Sequence, residues 1–470
     1  MQIAVDFFNS SRISYFLTLP ILLLAVWHAA PLYQFMATSS LWQDELMTVE
    51  FFSSLGWHNA VTNYGAPNNH VFFNFINALT PQGENPFLPG RARFWSFLAT
   101  TAALGALYGC FARNRQWWAG AFIVWWAVLN QGLLQLCLQA RGYGFTFLAA
   151  ALSCWLAQNY LRSFSKPWPS MLALGLITAL GTYSVPTYLA FGGGMMLVFL
   201  IISRDWRWIV IGVATLLLVF LLYLPVLEQM RTNAADYSNR WGEQYASLLA
   251  VRDTVNNYLL NGRAKSMTVL LLFPSLLAAL YFGPGKRDET TRASLVVLGA
   301  SLIFLACCLV IKTPLVRTTA FVAAPLLFAS VAAAQRLLAL LPQRLRIPWL
   351  ALLLLAAIGT TTLFVRSTRR FRPIESWLET ARKIEKTFPQ GTAIWQYPPK
   401  RQHINKYVSS DYPTVQAFDK NAFLEGKLIV VDAKCRQNDP KLSADFFPPE
   451  TRVIETRQRH SKMTIYYFPQ

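Results

Sequence analysis

Residues 41–60 read LWQDELMTVEFFSSLGWHNA and place two adjacent carboxylates, Asp44 and Glu45, shortly after the first long apolar run. The chain contains only 23 Asp and Glu residues among 470, so this pair stands out. Acidic side chains at the start of an amphipathic segment are typical of a helix N-terminus, where they accept hydrogen bonds from free backbone N–H groups. A carboxylate beside a membrane is also costly and therefore often functional, for example as a general base.

The chain as a whole is too apolar and too aromatic for a soluble enzyme. Hydrophobic residues make up 54% of it and charged residues 14%, and the mean hydropathy is +0.33. Many windows meet or approach the roughly 20 apolar residues that cross a bilayer. They lie at 13–34, 94–112, 117–137, 143–161, 169–184, 187–203, 208–227, 267–283, 293–311, 318–335 and 347–365. We therefore expect a mainly α-helical polytopic membrane protein with about 11 transmembrane helices.

The distribution of Lys and Arg predicts the orientation of these helices. Short loops that contain Arg113, Arg162 and Arg204 fall on one side of the membrane, which is cytoplasmic by the positive-inside rule. An odd number of spans then places the N-terminus in the cytoplasm and the C-terminal segment outside. The first apolar run ends without a cleavage pattern and is expected to remain as an anchor.

Two long loops lie on the outer side in this topology. The loop 35–93 contains two amphipathic stretches, 43–55 and 68–79, which predict helices that lie in the membrane interface. The loop 228–266 is long, polar and held at both ends, which is typical of a mobile lid over a substrate site. Both loops belong to a transmembrane module that we place at 1–365.

The composition becomes polar in the tail, residues 366–470. Residues 373–388 have the pattern of an amphipathic helix, and TAIWQY, KLIVVDA, TRVIET and MTIYYF read as short strands. This pattern predicts a small extracytoplasmic α/β domain. It contains no Gly-rich phosphate loop and no Ser/His/Asp or metal-binding pattern, so we interpret it as a lid, docking or stabilising module.

The formal charge of +19 does not indicate nucleic-acid binding, because the basic residues mostly flank the apolar windows or lie in the tail. Anionic membrane lipid is the more natural partner. The six cysteines lie mostly in apolar windows and show neither a disulfide framework nor a zinc-ribbon spacing.

Arginines also occur on the outer side, where the positive-inside rule predicts few. Snorkelling to lipid headgroups explains many of them. Arg141 in QARGYGF and Arg317 in PLVRTTAF differ, because each lies in a very short outer turn and must point into the helix bundle or its mouth. A guanidinium group there suits a phosphate oxygen. An outer cavity with a carboxylate and several arginines can deprotonate one group and stabilise an anionic leaving group.

Four further residues are candidates for substrate binding: His70, Asn69, Tyr143 and Tyr183. His70 is either a hydrogen-bonding residue or a metal ligand. Asn69 either caps the second amphipathic helix or contacts a sugar hydroxyl. Tyr143 and Tyr183 either line the outer cavity or belong to the aromatic belt of the membrane interface.

Two classes other than an enzyme remain open. A transporter or lipid flippase should have ionisable or Gly/Pro-broken positions in the middle of its spans and a repeat between its halves. The windows here are almost free of charge at their centres and show no obvious two-fold repeat, which favours an enzyme. A non-catalytic scaffold that presents the tail would not need Asp44.

In layout the chain resembles the GT-C superfamily of integral membrane glycosyltransferases, in particular the protein O-mannosyltransferases and the lipid A aminoarabinose transferases. The similarity is carried by WQDELMT, PNNHVFFNFI and RFWS in and after the first outer loop, QARGY after the third bundle span, TYSVPTY and VRTTAF. The chain departs from the family at Gln139, where the family has an acid, at His70, where it has Pro-Pro, and at Thr318, where it has Tyr.

The resemblance implies an inverting transfer of a sugar from a polyprenyl-phosphate donor to an acceptor hydroxyl, outside the cytoplasm and without a cofactor. It implies Asp44 as the general base, with Glu45 as a second candidate. It implies a donor-phosphate site formed by Arg141, Arg317 and Arg93. Arginines alone can neutralise a monophosphate leaving group, so no metal is required, and a divalent metal is not indicated by the residues.

The same resemblance implies a bacterial inner-membrane protein whose acceptor is a lipid, a glycan or a protein. The nearest alternative is an O-antigen ligase or polymerase-like enzyme, which uses outer arginines and a diphosphate donor. The early Asp-Glu pair disfavours that alternative.

Overall fold

The described residues of the computed structural model are mainly α-helical, with one small mixed sheet. These residues are 11–65, 69–80, 85–163, 167–233, 288–311, 316–340, 377–397, 406–407, 411–415, 419–432, 450–458 and 461–467. The lid predicted at 228–266 lies outside them beyond residue 233.

The helices up to residue 340 are α1 (Ser11–Thr38), α2 (Gln43–Thr48), α3 (Trp57–Thr62), α4 (Val71–Ala78), α5 (Pro89–Ala92), α6 (Phe94–Ala112), α7 (Trp117–Leu129), α8 (Gln131–Cys137), α9 (Tyr143–Arg162), α10 (Trp168–Ser184), α11 (Tyr188–Ser203), α12 (Arg207–Tyr223), α13 (Glu289–Ile311) and α14 (Ala323–Leu340). A π-helix, Val49–Ser53, continues α2. Two 3-10 helices occupy Leu224–Val226 and Val316–Val322.

Five helical segments in the described ranges are long and apolar enough to cross a membrane: Thr18–Thr38, Phe94–Ala112, Arg207–Asn233, Glu289–Cys308 and Arg317–Arg336. The pair α7 and α8 makes a sixth if the two helices are counted as one broken span. The chain is therefore an integral membrane protein. The windows 267–283 and 347–365 lie outside the described residues, and the total of about 11 spans stays a prediction.

The window 117–137 is not the single straight span that the sequence predicts, because α7 and α8 are bent by 83° relative to each other. The bend has a local cause at Asn130, between the two helices. Its Oδ1 accepts the N–H of Leu133 at 3.0 Å, which caps α8 and begins a new helix in a new direction.

The helices α6 and α9 pack closely because one face of α6 carries small residues. Ser96, Thr100 and Ala103 recur at helical spacing and are all fully buried. Gly109 continues the close contact, since a Cβ there would lie 2.1 Å from Cζ3 of Trp155 in α9. This packing places the start of α9, and the turn before it, against the start of α6.

The described part of the first outer loop contains four short α-helices, α2 to α5, whereas the sequence predicted two, at 43–55 and 68–79. The helices α2 and α4 fall in the predicted stretches, and α3 lies between them. The first stretch ends at Gly56, whose φ of 91° is a positive value that glycine adopts without strain.

The chain divides into two compact units. The first consists of Met1–Gln34, Met47–Gly83 and Arg93–Val365. The second consists of the tail Arg366–Gln470 together with two pieces of the first outer loop, Phe35–Leu46 and Glu84–Ala92. The division into 1–365 and 366–470 that we drew from the sequence did not group these two pieces with the tail, because they join it only through tertiary contacts.

The described part of the tail forms a five-stranded sheet with the order β2-β1-β3-β5-β4. The strands are β1 (Ala393–Tyr397), β2 (Thr414–Val415), β3 (Leu428–Asp432), β4 (Arg452–Gln458) and β5 (Ser461–Tyr467). β1 is parallel to β2 and β3, whereas β5 is antiparallel to β3 and β4.

Two helices, α15 (Trp377–Thr387) and α16 (Lys420–Leu424), complete this unit. Phe423 of α16 packs with Trp395, Leu428 and Val430 in a buried apolar cluster. Both α16 and β2 were missed in the sequence, because elements of five and two residues are too short to show a period. The side of the membrane on which the tail lies stays a prediction.

Candidate active site

A short turn between α8 and α9 holds Arg141, whose side chain is fully buried. Two hydroxyl groups of α6 fix the turn. Ser96 Oγ donates to the carbonyl oxygen of Arg141 at 3.1 Å, and Thr100 Oγ1 donates to that of Cys137 at 3.1 Å. The guanidinium group is thus held inside the protein, where an ionised group needs compensating interactions.

Three segments of the first unit meet at Gly142, the residue before α9. A Cβ at this position would lie 2.8 Å from the carbonyl oxygen of Ser184, 3.0 Å from Nδ1 of His70 and 3.1 Å from Cβ of His70. Side chains do not approach a backbone oxygen that closely, so the contact depends on glycine. The turn therefore touches both the end of α10 and the residue before α4.

His70 is only 3% exposed, and its two ring nitrogens have different environments. Nδ1 lies 2.9 Å from the carbonyl oxygen of Ser184. Because a carbonyl oxygen only accepts, Nδ1 carries the proton, and Nε2 of the neutral ring carries a lone pair. Nε2 is buried and has no hydrogen-bond partner among the described residues.

The neutral ring is also favoured by its surroundings. Burial lowers the pKa of His70 well below its usual 6.5, and the positive charge of Arg141 lowers it further. The hydrogen bond to Ser184 opposes these effects, and the charge of Arg317 adds a smaller lowering. His70 is therefore an uncharged acceptor at neutral pH.

Tyr143 lies beside both Arg141 and His70. Its ring centroid is 4.7 Å from that of His70 in an edge-to-face arrangement, and Cζ of Arg141 is 5.1 Å from the same centroid. The second contact is a cation–π interaction. The Tyr143 hydroxyl is buried and, within the part of the chain that the structure describes, has no hydrogen-bond partner.

Arg317 is half-buried at the start of the 3-10 helix Val316–Val322. The carbonyl oxygen of Thr318 accepts a hydrogen bond from Thr187 Oγ1 at 2.9 Å, which ties this helix to the segment after α10. The same 3-10 helix packs against α9, which begins at Tyr143. Three predicted candidates therefore meet in one region, which we call the His70 site: His70, Arg141 and Tyr143.

Asn69 and Tyr183 make structural contacts near this site. Asn69 Nδ2 donates to the carbonyl oxygen of Asn63 at 2.7 Å, and its Oδ1 accepts from Asn74 Nδ2. Tyr183 packs edge-on against Tyr223, with ring centroids 5.2 Å apart, in an apolar cluster. A role of either residue in substrate binding stays a prediction.

Asp44 and Glu45 lie in the second unit, at the start of α2. Glu45 is fully buried, and its Oε2 accepts the backbone N–H of Trp42 at 2.9 Å. A glutamate that bonds back to the N-cap N–H is half of a capping box. The preceding N–H, of Leu41, donates to the Tyr407 hydroxyl at 2.9 Å. Glu45 thus holds the helix start, and the half-buried Asp44 beside it is the stronger candidate for a base.

Arg93 immediately precedes α6 and is fully buried. Its carbonyl oxygen accepts the N–H of Phe97 at 2.9 Å in the first turn of α6. The same turn contains Ser96, which holds the Arg141 backbone. Binding of a phosphate by Arg93 stays a prediction.

Three residues of this region were missed by sequence reasoning: Asn74, Gly142 and Ser184. Gly142 and Ser184 stand inside QARGY and TYSVPTY, but a motif does not show which of its residues touch another segment. Asn74 carried a usable signal, since a polar residue interrupts the apolar run VFFNFI. No group of three or more His, Cys, Asp or Glu side chains suited to a metal occurs in the described ranges.

No protein-family profile matches this sequence, and no curated protein does. Solved structures with a similar fold include ArnT from Cupriavidus metallidurans in the apo state and the same protein bound to undecaprenyl phosphate. The TM-scores are 0.56 and 0.55 at 13% sequence identity, over 95% of this chain and 99% of theirs. At this identity the likeness shows the fold alone, and as a likeness of fold it confirms the resemblance in layout that the sequence indicated.

Proposed function

We propose that this protein transfers a sugar from a polyprenyl-phosphate donor to an acceptor hydroxyl on the extracytoplasmic side of the membrane. The observation that carries the proposal is the buried Arg141 of the His70 site, in a fold that in ArnT accommodates undecaprenyl phosphate. A guanidinium group matches the geometry and charge of a phosphate. Arg317, in the 3-10 helix that packs against α9, is a second candidate for the same role.

In the proposed reaction, the acceptor hydroxyl gives its proton to the Asp44 carboxylate while its oxygen attacks the anomeric carbon of the donor. The bond between the anomeric carbon and the phosphate oxygen breaks, and polyprenyl phosphate leaves with the electron pair. Attack from the face opposite the leaving group inverts the anomeric carbon. Arg141 and Arg317 stabilise the additional negative charge on the departing phosphate.

The two adjacent carboxylates have different roles in this scheme. Glu45 holds the start of α2 through the Trp42 N–H, so it is a positioning residue. Asp44 is the base. Arg93 is a further candidate for the donor phosphate, supported by its burial.

The proposal is tested by transfer from radiolabelled undecaprenyl-phosphate sugars in membranes that contain wild type, Asp44→Asn or Arg141→Ala at matched expression. We expect Asp44→Asn to bind the donor normally and to lose transfer by about a thousandfold, within the range for a general base. Arg141→Ala should weaken donor binding. Arg231→Ala is the matched control, because Arg231 is an exposed arginine paired with Glu228 at 2.8 Å.

Transfer by Asp44→Asn at the wild-type rate would reduce Asp44 to a helix cap. Normal donor affinity of Arg141→Ala would remove Arg141 from the phosphate site. A wild type that transfers no sugar from any monophosphate donor would overturn the proposed function, and a parallel assay with diphosphate donors would then test the ligase-like alternative.

A further inference from the structure

A hydrogen-bond network of asparagine side chains leaves one acceptor unused at the start of α4. Asn69 Nδ2 donates to the carbonyl oxygen of Asn63 at 2.7 Å, so the atom of Asn69 that faces Asn74 is its Oδ1. Asn74 must therefore donate through Nδ2, and the network fixes the orientation of its amide. Its Oδ1 is fully buried and lacks a hydrogen-bond partner in the described part of the chain.

Nε2 of His70 is a second acceptor of the same kind. The N–H of Asn74 donates to the carbonyl oxygen of His70 at 3.0 Å, so the two residues lie one helical turn apart on one face. Both side chains are more than nine-tenths buried. Buried acceptors without donors are rare in folded proteins and destabilise the fold. A ligand that donates two hydrogen bonds would satisfy them.

The position of the two acceptors indicates which part of a bound donor they meet. Arg141 lies over the ring of Tyr143, which itself contacts the ring of His70. Arg141 is the residue assigned to the donor phosphate, so the group next to it in the bound donor is the sugar attached to that phosphate. The hydroxyl groups of a sugar donate the hydrogen bonds that the two acceptors need.

We propose that Nε2 of His70 and Oδ1 of Asn74 accept hydrogen bonds from two hydroxyl groups of the donor sugar. The inference rests on the proposed function, since it takes the sugar to be carried on polyprenyl phosphate. It adds Asn74 as a residue that determines specificity. The proton transferred during the reaction still goes to Asp44.

Two substitutions remove one acceptor each while keeping most of the packing. His70→Asn retains an amide N–H that can replace Nδ1 as the donor to Ser184, but it has no atom at the position of Nε2. Asn74→Leu keeps the number and branching of the side-chain heavy atoms but has no polar atom, so it also removes the donor to Oδ1 of Asn69. Asn77→Leu is the matched control, because Asn77 is a buried asparagine of the same helix whose Nδ2 donates to Ser53 Oγ at 3.0 Å.

The measurement is the dissociation constant of purified full-length protein for undecaprenyl phosphate and for undecaprenyl phosphate carrying mannose, glucose or 4-amino-4-deoxyarabinose. Wild type should bind the donor that carries its own sugar more tightly than undecaprenyl phosphate alone. His70→Asn and Asn74→Leu should each bind that sugar donor about tenfold more weakly, as for one lost hydrogen bond. Both should bind undecaprenyl phosphate like wild type, and Asn77→Leu should change neither affinity.

Three results would overturn the inference. Equal weakening for both lipids would mean that the pair supports the fold or the phosphate site, and unchanged affinity for the sugar donor would mean that water satisfies the two acceptors. A raised KM for the acceptor alone would place the hydroxyl groups on the acceptor. If the wild type transfers sugar normally, any of these three results overturns this inference but leaves the proposed function standing. A wild type that transfers no sugar overturns the proposed function itself.

Discussion

Two polar regions of this protein use their hydrogen-bonding groups in opposite ways. At the start of α2, the N–H of Trp42 is bound by Glu45 and the N–H of Leu41 by Tyr407. In and beside the His70 site, Nε2 of His70, the Tyr143 hydroxyl and Oδ1 of Asn74 are buried and have no partner among the described residues. Groups satisfied within the protein hold a shape, whereas buried groups left unsatisfied are suited to a ligand.

This contrast separates two kinds of substitution effect. Changes at the start of α2 should act on the rate of transfer through the position of Asp44, with little effect on donor affinity. Changes in the His70 site should act mainly on donor affinity. Substitutions that alter the shape of either region test whether the distinction is real.

Among the substitutions that alter the shape of either region, Gly142→Ala should have the largest effect, because it would destroy the geometry on which the unsatisfied atoms depend. The new methyl group would lie 2.8 Å from the carbonyl oxygen of Ser184, so the turn, α10 or His70 must move. Overpacking of this kind destabilises by about 1–3 kcal/mol, and a displacement of about 1 Å in a reacting geometry can lower the rate about a hundredfold. Transfer and thermal unfolding at matched expression measure both effects.

Gly193→Ala is the control for this change. A Cβ at Gly193 in α11 meets no atom within 4 Å, so the substitution should leave transfer unchanged and unfolding unchanged or slightly delayed. Transfer by Gly142→Ala at the wild-type rate would show that the reaction does not need the close contact of the three segments. The reaction would then not depend on a defined shape of the His70 site.

The apolar helices were predictable from the sequence, but the meeting of residues in the His70 site was not. The window 94–112 coincides with α6, because apolar length is a local property. The contact of His70 with Ser184 depends on packing between segments far apart in the chain, for which no local pattern exists. The unsatisfied Oδ1 of Asn74 depends in turn on the amide orientation of Asn69, which only the folded network determines.

The pH dependence of stability tests whether His70 is held neutral. In the unfolded chain His70 gains a proton near pH 6.5, whereas in the folded protein its lowered pKa delays protonation to lower pH. The unfolded state therefore binds more protons below pH 6.5, and stability should fall there by up to about 1.4 kcal/mol per pH unit.

The His70→Asn variant has no imidazole to protonate at this position. The difference in stability between wild type and variant therefore separates the contribution of His70 from that of the other histidines. The wild type should have the higher unfolding midpoint near neutral pH, and its advantage over the variant should shrink as the pH falls by about two units below neutrality. An advantage that stays constant would mean that the imidazole is not held neutral in the fold, and His70 would no longer offer a lone pair to a ligand.

The smallest expected effect distinguishes the two carboxylates of the first region. Glu45→Gln retains an Oε1 that accepts the Trp42 N–H, so it preserves the helix start and should lower transfer by about twofold or less. Glu45→Ala loses the cap, worth about 1 kcal/mol, and should lower transfer about fivefold with donor affinity unchanged. If Glu45→Gln removed transfer as completely as Asp44→Asn, the charge of Glu45 would be needed for the reaction. The start of α2 would then take part in the reaction through both carboxylates. Satisfied hydrogen bonds, such as that of Glu45 to the Trp42 N–H, would no longer indicate that a region has a purely structural role.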